Sequence, residues 1–512
     1  MTTVDQNIRR IKDNKETVDK RFAESEIQRF YAGKTVFVTG STGYMGMCLV
    51  EKLLRGCPDV KRIYLLVREK RGRTAEERID KYFDDTLFDT LRGMGTDFES
   101  KIRMMEGDLM QGDMALSKND MDTLIEEVNI IFHSASNVKF MEKMSKALKI
   151  NVMGTQAIID LAKQCKHIEG FMYVSTAFSH CYQKNIMEVA YPSPASVKYI
   201  EDLIAADLAS PMGLTDAALS DTLGEFPNTY VFTKAVAEGL VDDAGKQVSF
   251  PCIVHRPSIV LSSWKEPVRG WCANLNGPGM LFMSYALGIL HVVLLGDTCA
   301  DFIPVDMSIN SMLVSIKIIY LTALIYNYGS SVVKPISIKR MQKMVQPAGS
   351  KLPAPSIHTI WKEFIYYTKC IWYFAILHAL FHVLPAMILD LYLLINGKKT
   401  RWVKIDKRKE NNVLTYFALR EWKIDITETN RAIDRMSTID RELFFCDVRQ
   451  LDWHDYTSDY WQGLRVYGLK DPMSTVPAAE RKVRVITAVH YIGKYTILLL
   501  TAYVTLRFFG LL

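Results

Sequence analysis

Residues 34–56 read KTVFVTGSTGYMGMCLVEKLLRG, and this stretch restricts the fold more than any other. Lys34 to Thr39 is a short apolar strand. Gly40, Gly43 and Gly46 follow, and Leu49, Val50, Leu53 and Leu54 then recur at helical spacing. Strand, glycine turn and helix N-terminus in that order leave the first backbone N–H groups of the helix free. The glycines permit a tight turn and a close backbone approach, so Gly40, Thr42, Gly43, Tyr44, Met45 and Gly46 form a cradle for a pyrophosphate.

Further strand-like stretches repeat at the spacing of an alternating α/β chain. RIYLLVREK (residues 62–70) ends at Arg68, with Lys70 and Arg71 behind it, where an acidic residue would suit a free ribose. Cations there favour a 2′-phosphate and hence NADPH over NADH; a solvated basic loop is the alternative. KIRMMEGDL ends in Asp108, suited to the adenine amino group, and Leu109. VNIIFHSASNV runs from buried apolar residues into the small Ser134 and Ala135, where a cofactor needs close approach. GFMYVSTAFSH ends in Ser175 and Thr176, and SFPCIVHRPSIV has Pro257 and Ile259 at its exit. Helical stretches such as KALKINVMGTQAIIDLAKQC separate them. The predicted fold class is therefore α/β, a doubly wound parallel sheet.

Against that frame the segment NTYVFTKAVAE (residues 228–238) gains meaning. Tyr230 and Lys234 lie one helical turn apart and share a face. By themselves they describe an amphipathic helix with a snorkelling lysine. Downstream of a dinucleotide loop, and with a strand-end hydroxyl at Ser175 or Thr176, they compose a carbonyl reductase. A carbonyl that accepts hydride develops negative charge on oxygen and needs a proton donor in reach. A phenol titrates near 10, too high for work near neutrality. A nearby ammonium and the positive charge of an oxidised nicotinamide are expected to bring it down. Lys234 can also hold the nicotinamide ribose, and Asn151 is expected to support a proton relay or to fix the backbone of the site.

Composition narrows the class. At 512 residues the chain exceeds one ordinary core, and a net charge of +6, spread along the sequence, argues against a nucleic-acid partner. The nine Cys occur singly, without a C-x-x-C pair, and no N-x-Ser/Thr sequon occurs. Neither a metal site nor a disulfide framework is indicated. The highly charged first 30 residues do not read as a signal peptide, so the bulk of the chain is expected on the cytosolic side. Residues 183–224 are polar and acidic without clear periodicity, and no role is assigned to them.

Taken together, these pieces resemble the extended short-chain dehydrogenase/reductase superfamily, and within it the alcohol-forming fatty acyl-CoA reductases of the insect type. The resemblance rests on TGSTGYMG, LLVR, GDL, FHSASNVKF, NVMGT, YVSTA, NTYVFTKAVAE, HRPSIV, GWCANLNGPG and ADFIPVDMSIN, and on RELFFCDVRQLDWHDYTSDYWQGLRVYGLKD past residue 400. Ser136 departs from it, standing where relatives usually have Ala. The resemblance implies NADPH as cofactor, a long-chain or very-long-chain acyl-CoA as substrate and a primary alcohol as product. It also implies two hydride transfers with a bound aldehyde between them, Thr176 and Tyr230 stabilising the oxyanion. Two rivals stay open: a membrane-bound sterol-type dehydrogenase of the same superfamily, and a catalytically silent scaffold.

Two segments are markedly apolar. Residues 370–389 are long enough to span a bilayer, but Pro385, His378 and His382 interrupt them. Basic residues flank both ends, which suggests that both stay cytosolic, so a re-entrant or in-plane hairpin or an acyl-chain tunnel is expected, with a plain core helix as the alternative. The stretch RKVRVITAVHYIGKYTILLLTAYVTLRFFGLL suggests membrane anchoring, and at most this segment is expected to span. The expected organisation is a polar extension (1–32), an NADPH-binding reductase domain (33–310), a mainly helical acyl-channel domain (311–475) and a hydrophobic tail (485–512). Membrane lipid is the expected partner beside acyl-CoA, and a homodimer is left open. The endoplasmic reticulum is the expected location, with a peroxisomal or lipid-droplet surface as alternatives.

Overall fold

The computed structural model describes residues 24–69, 72–95, 97–273, 275, 277–318, 324–345, 355–398 and 415–511. Lys70, Arg71 and most of the basic segment after Gly397 lie outside the described residues.

Seven parallel strands make the principal sheet: β1 (Thr35–Thr39), β2 (Arg62–Val67), β3 (Ile102–Glu106), β4 (Ile130–His133), β5 (Gly170–Val174), β6 (Cys252–Pro257) and β7 (Ile325–Tyr328). Their order is β7-β6-β5-β4-β1-β2-β3, so the chain winds outward in both directions from β1. The sheet is the expected doubly wound one. A parallel sheet has helices on both faces, and its central strands are accordingly buried at every position. Packed around it are α1 (Tyr44–Gly56), α2 (Lys118–Glu127), α3 (Gly154–Gln164), α4 (Thr229–Gly245) and α5 (Val305–Ile318). The core on one face joins Phe37, Ile131 and Phe171 of the sheet to Ile158, Leu124 and Val241 of the helices.

The chain forms two compact units that are not contiguous in sequence. The first comprises residues 1–269, 299–336 and 421–452, so a stretch expected in the C-terminal domain belongs with the sheet. Lys423–Ile424 pairs in parallel with Asn185–Ile186, and the Trp422 indole N–H donates to the Cys181 carbonyl at 2.8 Å. Residues 183–224 are not shapeless. They contain two helices, Val197–Leu208 and Asp216–Leu223, capped by Ser196 and Thr215, and Ile200 and Leu203 bury themselves against Phe232 and Val236.

The second unit comprises residues 270–298, 337–420 and 453–512. It is mainly helical, with one short parallel pair, Val292–Leu294 beside Tyr366–Thr368. Inside it the Arg465 guanidinium lies 3.2 Å from Asp471, whose carboxylate also accepts from Ser356 at 2.7 Å. Two apolar helical runs belong to this unit, α6 (Ile371–Ile395) and α7 (Val476–Phe508). Neither is a core helix: Trp372 is 79% exposed, Ile395 75% and Leu499 71%.

Candidate active site

The residues singled out in the sequence converge on the carboxyl ends of β1 to β6, where open α/β sheets bind ligands. The turn after β1 is held by backbone geometry. Gly40 has φ +72°, and a Cβ there would stand 2.6 Å from the Ala135 nitrogen. A Cβ on Gly46 would meet the Gly40 carbonyl oxygen at 2.2 Å, so only glycine lets α1 pack against its own approach loop. Gly43 occupies the N-cap of α1 and offers no side chain, which leaves the first turn at Tyr44, Met45 and Gly46 without a side-chain cap. The Ser41 hydroxyl is buried with no hydrogen-bond partner. A glycine-walled loop at an uncapped helix start, with an orphaned hydroxyl in it, fits a pyrophosphate.

Arg68 sits at the end of β2 and pairs with Asp108 at the end of β3, 3.6 Å away. No local pattern marks a second guanidinium here. Arg78, from a short helix whose capping box is Thr74 and Glu77, donates to the Arg68 carbonyl and to the Thr42 hydroxyl, both at 2.5 Å. Burial and the nearby Arg68 charge push its titration downward. Arg68 and Arg78 thus concentrate positive charge beside the glycine loop. Leu109 turns its side chain into the core and stands against Gly154. Ser134 and Ala135 bind β1: the Ser134 N–H donates to the Thr39 carbonyl and the Ala135 N–H to the Thr39 hydroxyl, each at 3.3 Å.

Asn151 lies in a five-residue π-turn, Lys149–Met153, just before α3. Its side-chain oxygen accepts from the Asn137 N–H at 2.7 Å and the Ser136 hydroxyl at 3.1 Å. Its amide donates to the Thr233 hydroxyl at 2.9 Å and the Asn137 carbonyl at 3.1 Å. Through these bonds Asn151 ties the loop after β4 to α4. Ser136, the departure from the family pattern, is one of the groups it holds.

The two strand-end hydroxyls differ. The Ser175 hydroxyl donates to the carboxylate of Glu238, which is buried on α4. That carboxylate also accepts from His180 at 3.0 Å and from the fully buried Arg256 at 2.6 and 3.1 Å. The Thr176 oxygen accepts from the Phe178 N–H at 3.3 Å, which leaves its proton for another acceptor. Asn228 caps α4 through the Val231 N–H, and Tyr230 follows two residues on, half-buried, its ring 5.9 Å from that of Phe140. Lys234 is buried; its ammonium donates to the Val174 carbonyl at 2.6 Å and lies 4.6 Å above the Tyr173 ring.

Here the electrostatics depart from expectation. Burial, and then the Glu238 charge, raise the Tyr230 phenol above its ordinary value. Burial lowers Lys234 to about 7, opposed by Glu238. Lys234 serves the carbonyl end of β5 and does not lower the phenol in the protein alone. Glu238 itself is held well below the carboxylate range by Arg256 and His180, against burial. Tyr230, Lys234 and Glu238 recur every four residues along one face of α4, a spacing the sequence carried for Glu238 as well. Pro257 and Ile259 close the wall. The Pro257 carbonyl accepts from the Ala177 N–H at 2.9 Å, and the Ile259 N–H donates to the Asp301 carbonyl at 3.0 Å.

The chain matches known proteins along most of its length. A family model described as "Male sterility protein" covers residues 38–312, and a second with the same description covers 381–471. The chain is 35% identical over 487 residues to fatty acyl-CoA reductase 1 of Homo sapiens, covering 93% of this chain and 92% of that protein. It is 34% identical over 488 residues to fatty acyl-CoA reductase 2 of Bos taurus, covering 91% of each. Among solved structures, the terminal reductase domain of the myxalamid PKS-NRPS pathway superposes with a TM-score of 0.55 at 19% identity, covering 86% of this chain and 92% of that one. The reductase domain of a non-ribosomal peptide synthetase from Mycobacterium tuberculosis gives 0.55 at 18%, covering 88% and 97%. Both share the fold.

Proposed function

This chain belongs to the fatty acyl-CoA reductases, and we propose that it reduces long-chain or very-long-chain fatty acyl-CoA to the primary alcohol with NADPH. What supports the reading is Lys234 bonded to the Val174 carbonyl at the end of β5, two residues before Thr176 and one turn along α4 from Tyr230, together with Arg78 bonded to Thr42 of the glycine loop. A bound NADPH supplies hydride. Everything else falls to side chains of this chain.

The glycine loop and the start of α1 take the pyrophosphate, and Arg68 with Arg78 takes the 2′-phosphate through charge-assisted hydrogen bonds. Asp108, paired with Arg68, stands at the adenosine end. Thr176 donates its free proton to the substrate carbonyl oxygen, and Tyr230 stabilises the same oxygen and delivers a proton to it. A phenol raised by burial is a weak acid in the protein alone. It becomes useful when charge develops on the substrate oxygen, which is when a donor of high pKa transfers most readily. Lys234, poised near 7, keeps ammonium N–H groups beyond the one spent on Val174 and presents them to the nicotinamide ribose. Glu238 keeps Ser175 out of the reaction by accepting its hydrogen bond.

The scaffold reading has less support because the chain keeps Thr176, Tyr230 and Lys234, and the sterol-type reading because the chain matches fatty acyl-CoA reductases along nine-tenths of its length, the segment past residue 400 included. The exposed apolar helices α6 and α7 support a membrane-bound enzyme, and the basic-flanked tail fits the endoplasmic reticulum. Membranes from cells expressing the chain or Tyr230→Phe, given acyl-CoAs of about 16 to 26 carbons and NADPH, test the reading by mass spectrometry of the lipids. Alcohol from the parent alone is the expected result, with a loss of about 10²-fold or more in the variant. No alcohol or aldehyde from any chain length would overturn it.

A further inference from the structure

The fold decides how α6 meets a membrane. The chain leaves the first unit before Ser337, runs through α6 and returns to the first unit at Glu421. The return is woven in: besides the Trp422 and strand contacts, the Asn310 amide donates to the Phe445 carbonyl at 3.0 Å and the Tyr328 hydroxyl to the Cys446 carbonyl at 2.5 Å. Both flanks of α6 therefore lie on one side of any bilayer. A crossing at α6 would have to be reversed within residues 396–420. Ten of those 25 residues are charged, which no membrane span tolerates. Among the described residues, α6 and α7 contain the two runs apolar and long enough to cross.

The surface of α6 says what covers it. One stripe at helical spacing faces the protein: His382 Nε2 accepts from the His291 N–H at 2.9 Å, the Phe381 ring lies 5.4 Å from Phe364, and Asp390 is buried. The remaining surface is apolar and open, with Ile376 65%, Ile388 60%, Leu391 57% and Leu394 63% exposed. A protein partner would cover one further face; apolar residues around all the free circumference suit acyl chains. By contrast α7 is exposed on every side from Tyr491 onward. A π-turn at Ala379–Val383 and Pro385 interrupt the regular α-helix of α6. Residues 396–420 carry eight Lys or Arg against Asp406 and Glu410, a charge that complements anionic headgroups.

We propose that α6 is a one-leaflet element. It lies in the cytosolic leaflet of an anionic bilayer, its His382 and Asp390 stripe toward the protein. This rests on the membrane-bound reading and adds a topology to it.

The test uses the full chain in sealed microsomes whose cytosolic face is outward and which contain a diazirine-bearing phosphatidylcholine. Cys370, exposed at the start of α6, and an Asn396→Cys variant at its end are treated with a membrane-impermeant maleimide. Modified sites and lipid adducts are read by peptide mass spectrometry. The expected result is modification of both cysteines before detergent, with lipid adducts on residues 371–395. Protection of Asn396→Cys until detergent is added would mean a crossing and would overturn the proposal. Modification of both with adducts on α7 alone would place α6 in water and overturn it too, while leaving the membrane-bound reading intact. Adducts on neither helix would overturn both.

Discussion

Glu238→Gln removes the carboxylate that organises the deep side of the site while keeping its shape. In the parent, that carboxylate accepts from Ser175, from His180 at 3.0 Å, and from Arg256 at 2.6 and 3.1 Å. An amide nitrogen in its place would face the donors of Arg256 or His180, and the Arg256 charge would stay buried without compensation. Breaking a buried pair from one side costs about 3–5 kcal/mol, so denaturant unfolding should show a loss of that order. Arg256→Met in the same chain should recover part of it, which a double-mutant cycle measures. The second effect is electrostatic. Glu238 lies one helical turn from Lys234 and raises both Lys234 and Tyr230. Unit charges about 6 Å apart at an effective dielectric of 20 interact by about 3 kcal/mol, or roughly two pH units. Without Glu238 the Lys234 ammonium should lose its proton at lower pH. The alkaline fall of kcat/KM should therefore begin one to two units (roughly) more acidic than in the parent, where Lys234 titrates at about 7. The assay is kcat/KM for NADPH from about pH 5.5 to 9. A stability loss below about 1 kcal/mol together with an unmoved profile would refute the network and its coupling to Lys234.

Two further predictions follow from the geometry. Thr176→Ala should lower kcat by about 10²- to 10³-fold, the scale for one oxyanion donor, whereas Ser175→Ala should leave most turnover and cost stability by removing a Glu238 partner; steady-state kinetics and thermal unfolding separate the two, and the reverse pattern would exchange their roles. Arg78→Ala should raise the KM for NADPH by about 10-fold or more, since a charge-assisted hydrogen bond contributes about 1.5–3 kcal/mol, and should change the KM for NADH much less; equal effects on both cofactors would show that Arg78 only shapes the loop.

What the sequence disclosed was local. The glycine loop, the strand ends at Arg68, Asp108, Ser134, Thr176 and Pro257, and the Tyr230–Lys234 turn each announce themselves within a few residues. Their geometry follows from alternation and helical spacing. Groups joined across long separations stayed hidden. Arg78 reaches the glycine loop from a short capped helix, 36 residues from Thr42, and nothing in its neighbourhood marks it. His180 and Arg256 meet Glu238 only because β5, β6 and α4 are neighbours in space. β7, reading IYNY, has too few aliphatic residues to stand out as an inner-sheet strand, and the return of residues 421–452 to the first unit has no local signature at all. Spacing puts a lysine one turn from the phenol. It does not show that the lysine points at the Val174 carbonyl, nor that burial raises the phenol in the protein alone.

Reduction of an acyl-CoA to an alcohol takes two hydrides from NADPH to the same carbonyl carbon. Purified protein in lipid can be given acyl-CoA and NADPH carrying deuterium at both C4 positions. The expected product is a fatty alcohol with two deuterium atoms on its hydroxyl-bearing carbon, and it should be lost in Tyr230→Phe. Alcohol with a single deuterium atom, or consumption of NADPH without any reduced lipid, would contradict that reduction.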